Sequence, residues 1–270
     1  MTDTTTEAGV FEMSDADYFA LDALSHSDCK LLLDSPAKFE YLRRNPSDAK
    51  PPTDDMRFGS AVHAILLGGP TVQKVDADSW RTNAAKEMRA EAEAGGDIAL
   101  LTDDYKRAFA CANAAYEHTL AAKLLAAADE TEVVAIWDDG DIQRRAKLDA
   151  RSGRFGVDVK TTYNAGTDDF GRSAAKYGYA SQAAFYMDAL TACWGIDNPA
   201  FLFVVIEKTP PFLVNVIEID PYDLELGRRN NRRALDLYRQ CRDTDTYPAY
   251  GDGINVCEMP KWWQYEMEMT

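Results

Sequence analysis

The segment Lys147-Leu148-Asp149-Ala150-Arg151-Ser152-Gly153-Arg154-Phe155-Gly156-Val157-Asp158-Val159-Lys160-Thr161-Thr162 reads as two strands joined by a tight turn at Ser152-Gly153. Side chains alternate across a strand, so Asp158 and Lys160 share one face while Val157 and Val159 take the other. The valines call for a core. Asp149, nine positions upstream of Asp158, joins the acid and the amine if the two strands run side by side. Two carboxylates and an ammonium converging on one face suit a hard divalent cation and a phosphate oxygen. The same Asp-x-Lys pattern also serves as an ion pair on a wet sheet face, so the neighbouring segments have to decide between the two.

Upstream, Glu132 to Trp137 has the β-branched and aromatic content of a strand, and Asp139-Gly140 is a hairpin turn. Ile142 to Asp149 then returns antiparallel, and Phe155 to Thr161 completes a three-strand meander. Downstream, Tyr163 to Asp169 is a loop and Phe170 to about Leu190 a helix, on which Gln182 and Tyr186 lie four apart on one face. Phe201 to Glu207 reads as a buried strand, Thr209-Pro210-Pro211 as a turn and Phe212 to Ile219 as the antiparallel partner. Pro221 to Arg242 is a helix with Leu224, Ala234, Leu235 and Tyr238 inward, followed by an irregular aromatic tail with Trp262 and Trp263.

Before the meander the chain is mostly helical. Residues 1–15 are polar and are expected to fray. Ser25 followed by Asp28 is a capping-box pattern ahead of an apolar run, and Ser35-Pro36 ends that helix and starts the next. Asn45 to Asp55 is a proline-rich loop. Met56 to Leu67 is an apolar helix closed by Gly68-Gly69, with His63 inside it. Such a histidine is either a buried group satisfied by a carbonyl or a metal ligand. Residues 80–95 and 102–128 are rich in helix formers. The expected organisation is a flexible segment 1–15 and one domain over 16–270. Within that domain 16–128 is mostly helical, 129–220 carries the sheet and its helix, and 221–270 is a C-terminal helix and tail.

At 270 residues and 30.0 kDa, with 46% apolar and 27% charged residues, the composition is that of a soluble globular domain. No apolar run approaches a membrane span and the N-terminus lacks the basic and apolar regions of a signal peptide, so a cytoplasmic protein is expected. Five dispersed cysteines without a C-x-x-C argue against a zinc or iron–sulfur cluster. A net charge of −16 is unusual for a nucleic-acid partner. The cations do cluster, at Arg144, Arg145, Lys147, Arg151 and Arg154 and again at Arg228, Arg229, Arg232 and Arg233.

Taken in order, Leu24 to Ser27 with Lys30-Leu31-Leu32, Ser35-Pro36, Met56 to Ala64, Lys147 to Asp149, Val157 to Thr162 and Tyr179 to Tyr186 resemble the PD-(D/E)XK nuclease superfamily. Within it, they resemble the RecE-like (exonuclease VIII-type) phage exonucleases. The resemblance runs from about residue 15 to Trp263, with Asp158 in the (D/E) position and Phe58 where leucine is usual. It implies an α/β fold, a PD-(D/E)XK core with a central mixed sheet flanked by helices behind an N-terminal helical part. It also implies a Mg²⁺-dependent 5′→3′ exonuclease, with Mn²⁺ able to substitute, that degrades linear double-stranded DNA to leave 3′ single strands for recombination.

The resemblance further implies that His63, Asp149, Asp158 and the Val159 carbonyl hold the metal. Asp149, Asp158 and Lys160 would carry catalysis, with Gln182 and Tyr186 in support and Glu132 as an outer-shell group. Arg57, Ser25, Ser27 and Lys30 are candidates for the 5′-phosphate. The implied partners are a RecT-like single-strand annealing protein and further copies of the chain in a closed ring, with Arg144, Arg145, Arg151 and arginines 228–233 lining the channel. The implied setting is phage or prophage expression in a bacterial host cytoplasm. A non-catalytic DNA-end-binding protein on the same fold is the alternative, as is an AddB-like or CRISPR-associated nuclease without its iron–sulfur cluster.

Overall fold

The computed structural model describes residues 6–269, so residues 1–5 of the segment expected to fray lie outside the described residues. The rest of that segment is ordered by the sheet: β1 (Gly9–Phe11) is an edge strand, and α1 (Asp15–Ala20) follows it, capped by Ser14. In α2 (His26–Asp34) the expected capping box is present, Ser25 and Asp28 each satisfying the other's backbone N–H. Pro36 opens α3 (Pro36–Arg44), and Thr53 caps α4 (Asp54–Leu67). Two short strands that the sequence pattern did not disclose follow. β2 (Val72–Val75) and β3 (Ile98–Leu101) pair in parallel across α5 (Asn83–Ala94). The helical run expected over 102–128 is divided at His118 into α6 (Thr102–Glu117) and α7 (Thr119–Ala126), His118 itself capping the second.

The meander is as expected: β4 (Glu130–Asp139), β5 (Ile142–Ser152) and β6 (Phe155–Thr162). The single helix expected over 170–190 is instead α8 (Thr167–Tyr177) and α9 (Tyr179–Trp194). They are separated by Gly178, whose left-handed conformation (φ 78°, ψ 36°) only glycine adopts freely. β7 (Ala200–Glu207), β8 (Val214–Glu218) and the long α10 (Pro221–Thr244) match expectation. The tail is not wholly irregular, since α11 (Lys261–Glu268) forms within it.

The six-stranded sheet has the order β1-β4-β5-β6-β7-β8, mixed because β6 and β7 run parallel while every other neighbour is antiparallel. Helices cover both faces. Phe58, Ala61 and Val62 of α4, with Ala108, Cys111 and Ala112 of α6, pack against Val157, Val159, Val204 and Ile206. Leu32, Phe39, Phe185, Ala189 and Leu235 of α2, α3, α9 and α10 pack against Val133, Ala135 and Leu148. The valines of β6 therefore face α4 and its neighbours, leaving Asp158 on the α9 side. Gly227 brings α10 onto α9: a Cβ there would lie 2.4 Å from the Ala180 carbonyl group, which fixes the height of the helix carrying Gln182.

Candidate active site

The site forms where β5 and β6 part. Their register pairs Ala150 with Val157, Arg151 with Gly156 and Ser152 with Phe155, and stops there. Beyond that point the Val159 N–H, left without a β5 partner, donates to Asp149 Oδ2 at 2.8 Å, while the Val159 carbonyl lies 2.6 Å from His63 Nε2. Asp149 and His63 thus take over the backbone groups that a paired strand would have satisfied. Asp149 meets β6 because the strands separate, not because they stay paired. The other ring nitrogen, His63 Nδ1, is 3.3 Å from Asp149 Oδ2.

Glu132 stands opposite Asp149 in the β4–β5 register, which pairs Thr131 with Ala150 and Val133 with Leu148 around it. Its backbone is left-handed (φ 52°), uncommon for a residue with a side chain and costing about 1–3 kcal/mol. The result is that one ligand atom from each of His63, Glu132 and Asp149 lies within 4.8 Å of the others. Glu132 Oε2 is paired with Lys147 Nζ at 2.7 Å, and Asp15 of α1 holds the same ammonium at 2.8 Å. Glu132 is accordingly closer to the centre than an outer-shell group. The signal was available, since a two-residue loop after Asp139 sets a register that puts 132 across from 149.

Asp158 is 2% exposed. Its Oδ1 accepts from Gln182 Nε2 at 2.8 Å, and Lys160 Nζ sits 2.7 Å from Oδ2, off the angle for a hydrogen bond, so that this buried oxygen accepts none. Tyr186 is one turn beyond Gln182, its phenol pushed well above the usual range by burial and by the Asp158 and Asp149 charges, so it stays a neutral donor. Burial raises the Asp149 carboxyl to about 6, with Asp158 adding to the shift and His63 opposing it. Burial works to lower the Lys160 pKa, but Asp158 and Asp149 outweigh it and raise the pKa, so the ammonium is charged.

Three acids, a histidine and a backbone carbonyl converging with two lysines fit a hard divalent cation. Asp149 resists ionisation without further positive charge, and the proton bridging His63 Nε2 and the Val159 carbonyl stands between two groups that are each metal donors. His63, Asp149 and Val159 are in mutual contact; Asp158 is adjacent but turned to Gln182 and Lys160.

The phosphate candidates are divided. Arg57 lines the same cleft of about 440 Å³ as Ser60, His63, Glu132, Lys147 and Asp149, held by Glu93 at 3.0 Å and by the Pro52 carbonyl. Ser25 is engaged in its cap and Ser27 is exposed beside it, while Lys30 reaches the Tyr177 carbonyl at 3.1 Å, on the α8 side of the site. Arg145 is not brought to the site. It is 7% exposed, its Nη1 donates to the Tyr18 and Leu21 carbonyls, and its Nη2 lies 3.6 Å from Asp28. Arg151 is tied to Glu130 at 2.5 Å and Asp129 at 3.1 Å. Arg144 is 2% exposed under Trp137 and Phe185, and Arg228, Arg229 and Arg232 pair with Glu225 or Asp139. An inward-facing basic lining from Arg144 and Arg145 is therefore corrected: aromatic rings and local acids absorb these charges.

A mixed sheet flanked by helices, with Asp149 and Asp158-x-Lys160 meeting where two of its strands diverge, is the fold of the PD-(D/E)XK nucleases. A sequence profile for a PDDEXK-like domain of unknown function (DUF3799) matches residues 25–260, and the chain belongs to that family. The solved structure of a candidate exonuclease from Eubacterium rectale is similar at a TM-score of 0.59 and 12% identity, covering 91% of this chain and 97% of that one. The structure of LHK-Exo in complex with dAMP matches at a TM-score of only 0.26 and 13% identity over 70% of this chain and 95% of that one. No curated protein matches the chain. No helix among the described residues is long and apolar enough to cross a membrane.

Proposed function

We propose that this protein is a divalent-metal-dependent exodeoxyribonuclease that degrades linear double-stranded DNA from its 5′ ends. The observation that carries this reading is the clasp in which His63 and Asp149 replace the missing strand around Val159, beside buried Asp158 and charged Lys160. His63, Asp149, the Val159 carbonyl and the adjacent Asp158 would hold Mg²⁺ or Mn²⁺, with Glu132 as a further ligand. When bound, the cation supplies Lewis-acid polarisation of the phosphate and a nucleophilic water at neutral pH.

The chain's own residues do the rest. Lys160, kept charged by two acids, stabilises negative charge accumulating on the phosphate as water attacks phosphorus and the sugar oxygen departs. Gln182 fixes the Asp158 rotamer, and Tyr186 supports Gln182 from the next turn. Arg57, in the same cleft, takes a terminal 5′-phosphate. In this reading residues 16–270 act as one nuclease domain in a bacterial or phage-infected cytoplasm. The 3′ strands left behind pass to a RecT-like annealing protein, and copies of the chain close into a ring around the duplex.

The test is digestion of a linear duplex labelled separately at its 5′ and 3′ ends, with Mg²⁺ or EDTA, beside an Asp158→Ala control. Early Mg²⁺-dependent loss of the 5′ label with the 3′ strand surviving is expected. Intact DNA in every lane with end binding retained would replace the enzyme by a non-catalytic end-binding protein. Cuts in a closed circle would replace the exonuclease by an endonuclease.

A further inference from the structure

The Tyr177-Gly178-Tyr179 junction has no part in the chemistry above, yet it adjoins it. Gly178 breaks the helix in a left-handed turn, so that the flanking tyrosines stand side by side instead of spreading around one helix. Their ring centroids are 5.9 Å apart with planes 28° from parallel, and Tyr179 stacks in turn on Phe203 at 5.5 Å and 28°. Phe203, Tyr179 and Tyr177 thus form a column running from the fully buried core to the surface, ending in a tyrosine that is 47% exposed.

The column touches the catalytic lysine. Lys160 Nζ lies 5.0 Å from the centroid of Tyr179, one ring in from the end of the stack. Around the outer ring are two more ammonium groups, Lys30 Nζ at 5.7 Å and Lys176 Nζ at 5.3 Å from the Tyr177 centroid. Among the described residues neither Lys30 nor Lys176 has a carboxylate within ion-pair distance, in a chain whose net charge is −16. Two cations without a carboxylate partner at a half-exposed ring, which they approach closely enough to be displaced by a base, stand next to a charged catalytic lysine and match the two halves of a nucleotide: a π-face and an anionic backbone.

We propose that Tyr177 is a stacking platform for the nucleobase next to the scissile phosphate, and that Lys30 and Lys176 hold the backbone phosphates on either side of that base. The inference rests on the nuclease reading and adds the group that holds the strand end in place. Stacking of this kind is indifferent to base identity, as an enzyme that removes every nucleotide in turn requires. It also favours a terminal nucleotide already lifted from its complement, because only an unpaired base can present its face to the ring.

The test uses the full chain carrying Asp158→Asn, so that DNA is bound in Mg²⁺ without being consumed. Two linear duplexes are compared, with 2-aminopurine as the 5′-terminal or the 3′-terminal nucleotide and a distal fluorescein reporting binding by anisotropy. Quenching of 2-aminopurine at one end on binding is expected. Adding Tyr177→Ala should abolish the quench and weaken binding about tenfold, whereas Tyr177→Phe should retain both. Lys30→Ala with Lys176→Ala should flatten the dependence of log affinity on log salt by about 1.4, about 0.7 for each single-strand phosphate contact. Binding with no quench at either end, or a quench and affinity unmoved by Tyr177→Ala, would overturn the platform and leave the nuclease standing. No binding and no cleavage by the unmodified protein would overturn both.

Discussion

The β4–β5 hairpin buries charge at both of its ends, and the two ends treat it in opposite ways. At the turn end, Arg144 is enclosed with its guanidinium carbon 4.1 Å from the Phe185 centroid and 4.7 Å from that of Trp137, and Nη1 reaches Asp139 at 3.1 Å and Asp188 at 3.0 Å. Arg232 and Arg239 add to the same Asp139; burial works to raise its carboxyl, but Arg232, Arg144 and Arg239 outweigh it and hold it below its ordinary range. Five residues further along β5, Asp149 faces Glu132 and His63 with Asp158 close by, and its carboxyl is pushed up to about 6. One cluster is closed by opposite charge, and the other has acids in excess. At the turn end each of Asp139 and Asp188 has an arginine partner; at the other end the acids outnumber the lysines, an excess that a bound cation would offset.

Substitutions at the two ends should therefore separate stability from activity. Asp158→Asn is expected to leave the thermal midpoint within a few degrees of the parent and to lower cleavage on the order of 10²–10³-fold or more, measured on end-labelled duplex. Equal losses of folding and activity would erase the distinction. Arg144→Ala should do the reverse, costing about 3 kcal/mol of unfolding free energy in denaturant titration, because it uncovers the stacked rings and leaves Asp188 short of a partner. Its cleavage rate per folded molecule should be unchanged.

Gln182→Ala sharpens the comparison, since Gln182 touches the acidic end only through Asp158. The expectation is a loss of about 10- to 100-fold in metal affinity or rate with the fold intact, and Gln182→Glu should not restore it because it brings another negative charge to Asp158. The smallest effect concerns pH. With its folded pKa near 6 against 3.8 for a free carboxyl, Asp149 binds its proton more tightly in the native state. The stability of the metal-free protein should therefore fall as the pH rises from about 4 through 6. A cation binds the ionised form, so the rise in thermal midpoint caused by millimolar Mn²⁺ should be small at pH 5 and larger at pH 7. A pH-independent rise would remove Asp149 from the ligand set.

Much of this is legible in the sequence. Strict alternation in Val157-Asp158-Val159-Lys160 separates the core valines from the acid and the amine, and His63 stands out as a histidine inside an otherwise apolar helix; which helix covers which face, and that His63 reaches the Val159 carbonyl, come only from the fold. Other features depend on packing that a linear pattern does not carry. β1 gains its order from pairing with β4, and β2 and β3 are short strands whose partners lie across a helix. Arg144 and Arg145 look like surface cations until Trp137, Phe185 and Tyr18 are seen to cover them. Glu132 lies between the two cases: its register followed from the hairpin turn, but its left-handed backbone did not.

The central claim is that the acidic end of the hairpin is a metal centre. Anomalous diffraction from crystals soaked in Mn²⁺ tests it most directly. A peak within coordination distance of His63, Asp149 and the Val159 carbonyl is expected, lost in Asp149→Asn. A preparation that cleaves DNA with Mn²⁺ yet shows its peak elsewhere, or none between these residues, would contradict it.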